Sequence, residues 1–238
     1  MKKLIVFAAA AMIAASGFAQ IAQDNSSNYT TGTWIDGANQ GTGFGAWDLT
    51  TTGTAGSYIG SAGGDTSAFG LWSNSGASQS AYRPLSSGLA IGDVLSFTLG
   101  LSGGVNGEIG FTLYNGATPA MTWKFVSGQT AFQMNDGGTD FGIGQNYVAD
   151  TPLSFWFTWN GGNSYDYGFG AASGDNYTAT ATINNISGVA FYSSNQGSGN
   201  NVGFDALAVN AAAVPEPATM SLLGLGALAM VLRRKMSK

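Results

Sequence analysis

The stretch Val94-Leu-Ser-Phe-Thr-Leu-Gly-Leu101 alternates without a break. Leu95, Phe97, Leu99 and Leu101 fall on one side, and Ser96, Thr98 and Gly100 fall on the other. A helix would bring residues three or four apart to one face. A period of two is that of a strand with one face in a core.

The same period recurs outward from this stretch. In Gly107–Asn115, Ile109, Phe111 and Leu113 point one way. In Ala120–Ser127, Met121, Trp123 and Phe125 align, with Thr122 and Lys124 opposite. Leu153–Asn160 puts Leu153, Phe155, Phe157 and Trp159 on one side and Trp156 on the other. Tyr177–Asn184 alternates Thr178, Thr180 and Thr182 with Tyr177, Ala179, Ala181 and Ile183, and Gly188–Ser193 and Val202–Asn210 complete the series. Between the runs stand Ser102-Gly-Gly, Asn115-Gly, Asp136-Gly-Gly and Asn160-Gly-Gly, which are turn sequences. Around a dozen short strands at this spacing predict an all-β fold, an antiparallel two-sheet sandwich or jelly roll. A β-helix would show a fixed short repeat. Only Leu95-Ser-Phe and Leu153-Ser-Phe recur, once.

The two ends depart from this pattern. Lys2 and Lys3, an apolar core from Leu4 to Ala15 and the small-x-small triplet Gly17-Phe18-Ala19 read as a signal peptide over residues 1–19. Residues 20–33, rich in Asn, Ser and Thr, read as an exposed lead-in to a domain over 34–210. Residues 211–217 form a linker that holds Pro215, Glu216 and Pro217. Each proline lacks an N–H and fixes φ, so this segment is expected to be extended. The apolar run 218–232 reads as a transmembrane sorting helix, and 233–238, with Arg233, Arg234 and Lys235, as a basic cytoplasmic tail. A helix over that run spans roughly 22 Å, against roughly 30 Å of hydrocarbon, which suits a temporary hold better than a permanent anchor.

This order of parts resembles the PEP-CTERM sorting signal of bacterial surface proteins. The resemblance rests on Val214, Pro215, Glu216, Pro217, the short apolar run and the Arg233-Arg-Lys end. It implies recognition by an exosortase, a membrane cysteine protease-transpeptidase, and delivery to the cell surface or an exopolysaccharide matrix. Pro215, Glu216, Pro217, Arg233, Arg234 and Lys235 would carry that recognition. A lipid-anchor signal also ends in an apolar tail but would not finish in basic residues.

Composition narrows what the domain between the signals can do. Arg83 and Lys124 are its two basic residues against twelve acidic ones, a net charge of −10, whereas the whole chain carries −5. Such a surface repels nucleic acid, which needs a basic one. The chain has no Cys and no His. Disulfides, Cys/His zinc sites and Ser-His-Asp or Cys-His nucleophiles are therefore excluded. Glycosidases need two facing carboxyl groups, and Glu108 is the domain's single glutamate. No catalytic residues are expected, and the chain reads as a non-enzyme.

Three binding ideas remain. Asn135, Asp136 and Asp140 gather oxygen atoms in a Gly-rich turn and are candidate calcium ligands, although Asp and Asn also favour turns on conformational grounds. No other cofactor is expected. Trp156 and Trp72, with Tyr82 and Tyr192 behind them, are candidate sugar-stacking residues. The last strand, Asn200-Asn-Val-Gly-Phe-Asp-Ala-Leu-Ala-Val-Asn210, resembles the closing strand of lectin-like and carbohydrate-binding jelly rolls through its Phe204-Asp205 pair. The domain is expected to be a structural or adhesive module, or alternatively a carbohydrate-binding one, before a hydrolase.

Overall fold

The strand around Phe97 lies in the middle of an eight-stranded sheet. A computed structural model describes residues 19–212. In chain order the strands are β1 Gln20–Asp24, β2 Asp48–Thr52, β3 Ala55–Ala62, β4 Asp65–Ser73, β5 Ser78–Pro84, β6 Val94–Ser102, β7 Glu108–Asn115 and β8 Thr118–Val126. They continue with β9 Ala131–Asn135, β10 Phe141–Asn146, β11 Leu153–Gly161, β12 Ser164–Phe169, β13 Ala172–Thr178, β14 Ile186–Ser194 and β15 Asn201–Asn210. The first sheet runs β13-β12-β11-β6-β15-β4-β3, with β1 also on β15. The second runs β10-β9-β8-β7-β14-β5-β2. Every pairing is antiparallel. The expected sandwich is the fold.

Aromatic rings fill the space between the sheets. Phe97 of the first sheet meets Phe111 and Phe191 of the second edge-on, both at 4.8 Å between centroids. Phe191 stacks on Phe204 across the layers, and Phe111 stacks on Trp123 within the second sheet. The alternation assigned Phe97, Phe111 and Trp123 to the core, and all five rings are buried. Each such ring removed from water contributes about 1.5–3 kcal/mol. With no disulfide available, this packing and the strand ladders hold the domain. All of this core lies within the compact unit Ala19–Ala212.

Turn chemistry sets the hairpins. Asn115 pairs with Thr118, and Gly116 between them takes φ +64°, which glycine adopts without strain. Gly161 and Gly162 do the same between β11 and β12.

Two expectations need correction. The first part of the expected exposed lead-in, residues 20–33, is a strand: β1 pairs with β15 from Gln20 opposite Asn210 to Asp24 opposite Leu207. Asp24 and Ser26 are fully buried. β6 covers one edge of β15 along its length, so β4 and then β1 share the other edge. The changeover falls at the irregularity after Asp205, where Ala206 takes φ +54°. Asp205 accepts from the Ser26 N–H at 2.7 Å and the Ser26 hydroxyl at 3.1 Å, which fixes the turn after β1.

Tyr177–Asn184 is the other correction. Strand structure ends at Thr178, because β13 is the outer strand of its sheet and the chain beyond finds other partners. The Ala179 N–H bonds to the Asn163 carbonyl, that of Ala181 to the Asp136 carbonyl, and that of Ile183 to the Asn163 side chain. Ala179 and Ile183 are still buried, so the alternation survives without a ladder. The expected signal helix over 1–19 and the sorting helix over 218–232 lie outside the described residues, apart from Ala19. Among the described residues no helix is long and apolar enough to cross a membrane.

Candidate functional site

Pro215, Glu216, Pro217, Arg233, Arg234 and Lys235 lie outside the described residues. Of the remaining candidates, Trp156 and Trp72 lie on the outer face of the first sheet, and Asn135, Asp136 and Asp140 lie at the end of β9 and in the turn that follows it.

Trp156 and Trp72 both project from the first sheet and are half-buried. Each lies against a glycine on the paired strand: Trp156 is opposite Gly168, and Trp72 is opposite Gly56. A methyl group on Gly168 would collide with the Trp156 indole, and one on Gly56 would press on Trp72. Aromatic–glycine pairs of this kind stabilise a sheet by covering backbone that glycine leaves bare. The two indoles do not share a site. Trp156 is level with Ser96, whereas Trp72, through Asn201, is level with Ser102. That interval along β6 is roughly 20 Å, before the strands between are counted. Trp156→Ala is therefore expected to lower stability by about 1 kcal/mol, read by thermal denaturation, with no change in any glycan binding.

Asn135, Asp136 and Asp140 do not converge. Asp136 is turned inward, and the Tyr165 hydroxyl donates to it at 3.5 Å. Asn135 donates to Asp140 Oδ1 at 2.8 Å and to the Gly138 carbonyl at 3.1 Å. Asp140 Oδ2 is 2.7 Å from the Lys124 ammonium. Bonds from Lys124 and Asn135 hold the Asp140 carboxyl below the usual carboxylate range. Among the described residues no three His, Cys, Asp or Glu side chains are grouped to hold a metal ion.

The outer face of the second sheet carries a more concentrated arrangement. Asp48, Tyr82, Ala190, Thr112, Thr122 and Asn135 form one row across β2, β5, β14, β7, β8 and β9. Thr50, Ser80, Tyr192, Gly110 and Lys124 form the next. Tyr82 and Tyr114 meet edge to face at 5.2 Å, and the Tyr82 ring lies over Gly188. With Asp48, Thr50, Ser80, Gly116 and Ala117 they surround an open groove of about 500 Å³ whose floor is the buried Ala190. The small side chain of Ala190 leaves the depression and the two rings wall it. Burial raises the Tyr114 phenol, with Tyr82 adding to the effect.

Beside the groove the charges are mutually satisfied. The Tyr192 hydroxyl donates to Glu108 Oε1 at 2.7 Å. Lys124 Nζ lies 3.7 Å from Glu108 Oε2 as well as 2.7 Å from Asp140. Partial burial, the largest single influence, would lower the Lys124 amine, but its bonds to Asp140 and Glu108 outweigh it and raise it. Tyr82 and Tyr192 were legible as outward aromatics. Tyr114 was missed, although its parity opposite the inward Leu113 marks it as outward.

The described residues form an antiparallel β-sandwich, and a sorting sequence follows it. Residues 213–235 match the model of the PEP-CTERM protein-sorting motif, which marks an exported protein with a C-terminal membrane anchor before processing. No curated protein is similar in sequence. Among solved structures, a sialidase superposes with a TM-score of 0.53 at 11% identity, over 69% of this chain and 16% of its own. The chain thus spans about a sixth of that protein's length. An HCR/D mutant superposes with a TM-score of 0.50 at 10% identity, over 82% of this chain and 49% of its own. Galectin LEC-6 from Caenorhabditis elegans gives 0.42 at 13% identity, over 54% and 88%. At such identities the sialidase and the HCR/D mutant share a fold with this chain and nothing finer.

Proposed function

We propose that this chain is an exosortase substrate that is processed at the membrane and delivered to the cell surface or an exopolysaccharide matrix, where its sandwich acts as a structural or adhesive module. The observation that carries this reading is the sorting motif over 213–235 at the end of a secreted domain. The processing chemistry belongs to the exosortase. The sandwich itself is read as non-catalytic. A glycosidase needs two carboxyl groups facing across a cleft, whereas Glu108, the domain's single glutamate, and Asp140 are both held by Lys124 on the sheet face. Cutting the chain after Ala213 is expected to leave export intact and abolish membrane retention, measured by fractionating host cells. Identical fractionation of the truncated and full-length chains would contradict the reading.

The groove favours a second reading for the sandwich, a carbohydrate-binding module. Two tyrosine rings with carboxylate and hydroxyl groups around a floor of small residues form an amphipathic site of the kind that takes a sugar ring. Trp156 and Trp72, the stacking residues expected first, are set against glycines far from one another, which favours the tyrosine groove over a shared tryptophan platform.

A further inference from the structure

We infer that the Tyr82–Tyr114 groove takes an uncharged polysaccharide and excludes acidic ones. This rests on the carbohydrate-binding reading and goes further, because it names the ligand's charge class.

The inference follows from where the domain's two cations are. Arg83 is fully buried on the inner side of β5, 2.7 Å from Asp24. Lys124 is on the outer face but is held between Asp140 and Glu108. Neither can meet a uronate, sulfate or phosphate group in the groove. Asp48 stands at the rim, and the described domain carries −10 around it. An acidic polymer would meet uncompensated repulsion along its whole length, and this repulsion weakens only with added salt. An uncharged chain meets none. Its ring faces can lie on the Tyr82 and Tyr114 side chains. Its hydroxyl groups can donate to the Asp48 carboxylate and exchange bonds with Thr50 and Ser80. The occupant is thus a neutral glycan.

The test is affinity electrophoresis of residues 20–212, which hold the entire described core, through gels containing a neutral β-glucan, a neutral mannan, or polygalacturonate. The expected result is retardation by at least one neutral polymer that persists in added salt, and none by polygalacturonate. Tyr82→Ala and Tyr114→Ala should each weaken retardation about tenfold, and thermal denaturation of each variant checks its fold. Asp48→Lys, at an exposed edge-strand position, should gain retardation by polygalacturonate and guards against variants that fail to fold. Retardation by polygalacturonate alone, neutral binding that survives both tyrosine variants, or no gain by Asp48→Lys would overturn the inference while leaving a carbohydrate-binding module. Retardation by none of the three polymers would remove both.

Discussion

Replacing Asp24 with alanine is expected to destabilise the domain by about 3–5 kcal/mol, because it leaves the Arg83 guanidinium buried without a counter-charge. Asp24 Oδ2 accepts from the Tyr29 hydroxyl at 2.8 Å and from Trp47 Nε1 at 3.0 Å, beside Arg83 Nη2 at 2.7 Å. The guanidinium lies 4.8 Å from the Trp47 ring and 5.5 Å from Phe44. Burial is the largest influence on both partners: it raises the Asp24 carboxyl and lowers the Arg83 guanidinium, and each charge opposes the shift on the other. Arg83 Nε and Asp24 Oδ1 find no hydrogen-bond partner in the protein. The pair is therefore a device for placing β1 against the sheet more than a source of net stability. Arg83→Met should cost as much as Asp24→Ala, whereas the double variant Asp24→Leu/Arg83→Met should recover most of the loss. Urea denaturation of the three variants reads this directly. Additive losses in the double variant would contradict it.

The second large effect is alkaline unfolding. Tyr165 and Tyr167 are almost fully buried. Burial, with the Tyr177 ring, pushes the Tyr167 phenol up to about 12. Tyr165 is raised further, by burial first and then by the charge of Asp136. Tyr192 is raised by burial and by Glu108. A phenol that is harder to ionise when folded stabilises the fold fully below its unfolded value near pH 10. That stabilisation is lost as the pH rises from there through the folded value. For Tyr167 alone this is on the order of 2–3 kcal/mol between about pH 10 and pH 12. Circular dichroism and tyrosinate absorbance should therefore change together and late, and Tyr167→Phe should move the transition to higher pH. Ionisation of all nine tyrosines near pH 10 with intact circular dichroism would contradict this.

The central strands were legible because both their periodicity and their ring content point inward. Phe97, Phe111, Trp123 and Phe155 all lie where alternation puts them. β1 was hidden because Gln20-Ile-Ala-Gln-Asp24 looks like a polar lead-in. What docks it is backbone pairing to β15, far along the chain, and one carboxylate that meets Arg83. Tyr177–Asn184 shows the reverse error: alternation persists past Thr178, where the chain has no neighbouring strand to pair with. The outer-face groove depended on register. That Tyr82 is level with Asp48 and Ala190, and near Tyr114, follows from how four strands align, which local sequence does not encode. The sorting tail, by contrast, was readable at once because its chemistry is linear.

The central claim is that the tail is an address removed on delivery. Its most direct test is the intact mass of the protein recovered from the surface and medium of an exosortase-bearing host. The account predicts a chain that lacks the apolar run 218–232 and the basic end through Lys238. A surface or medium fraction whose chain still ends at Lys238 would contradict it.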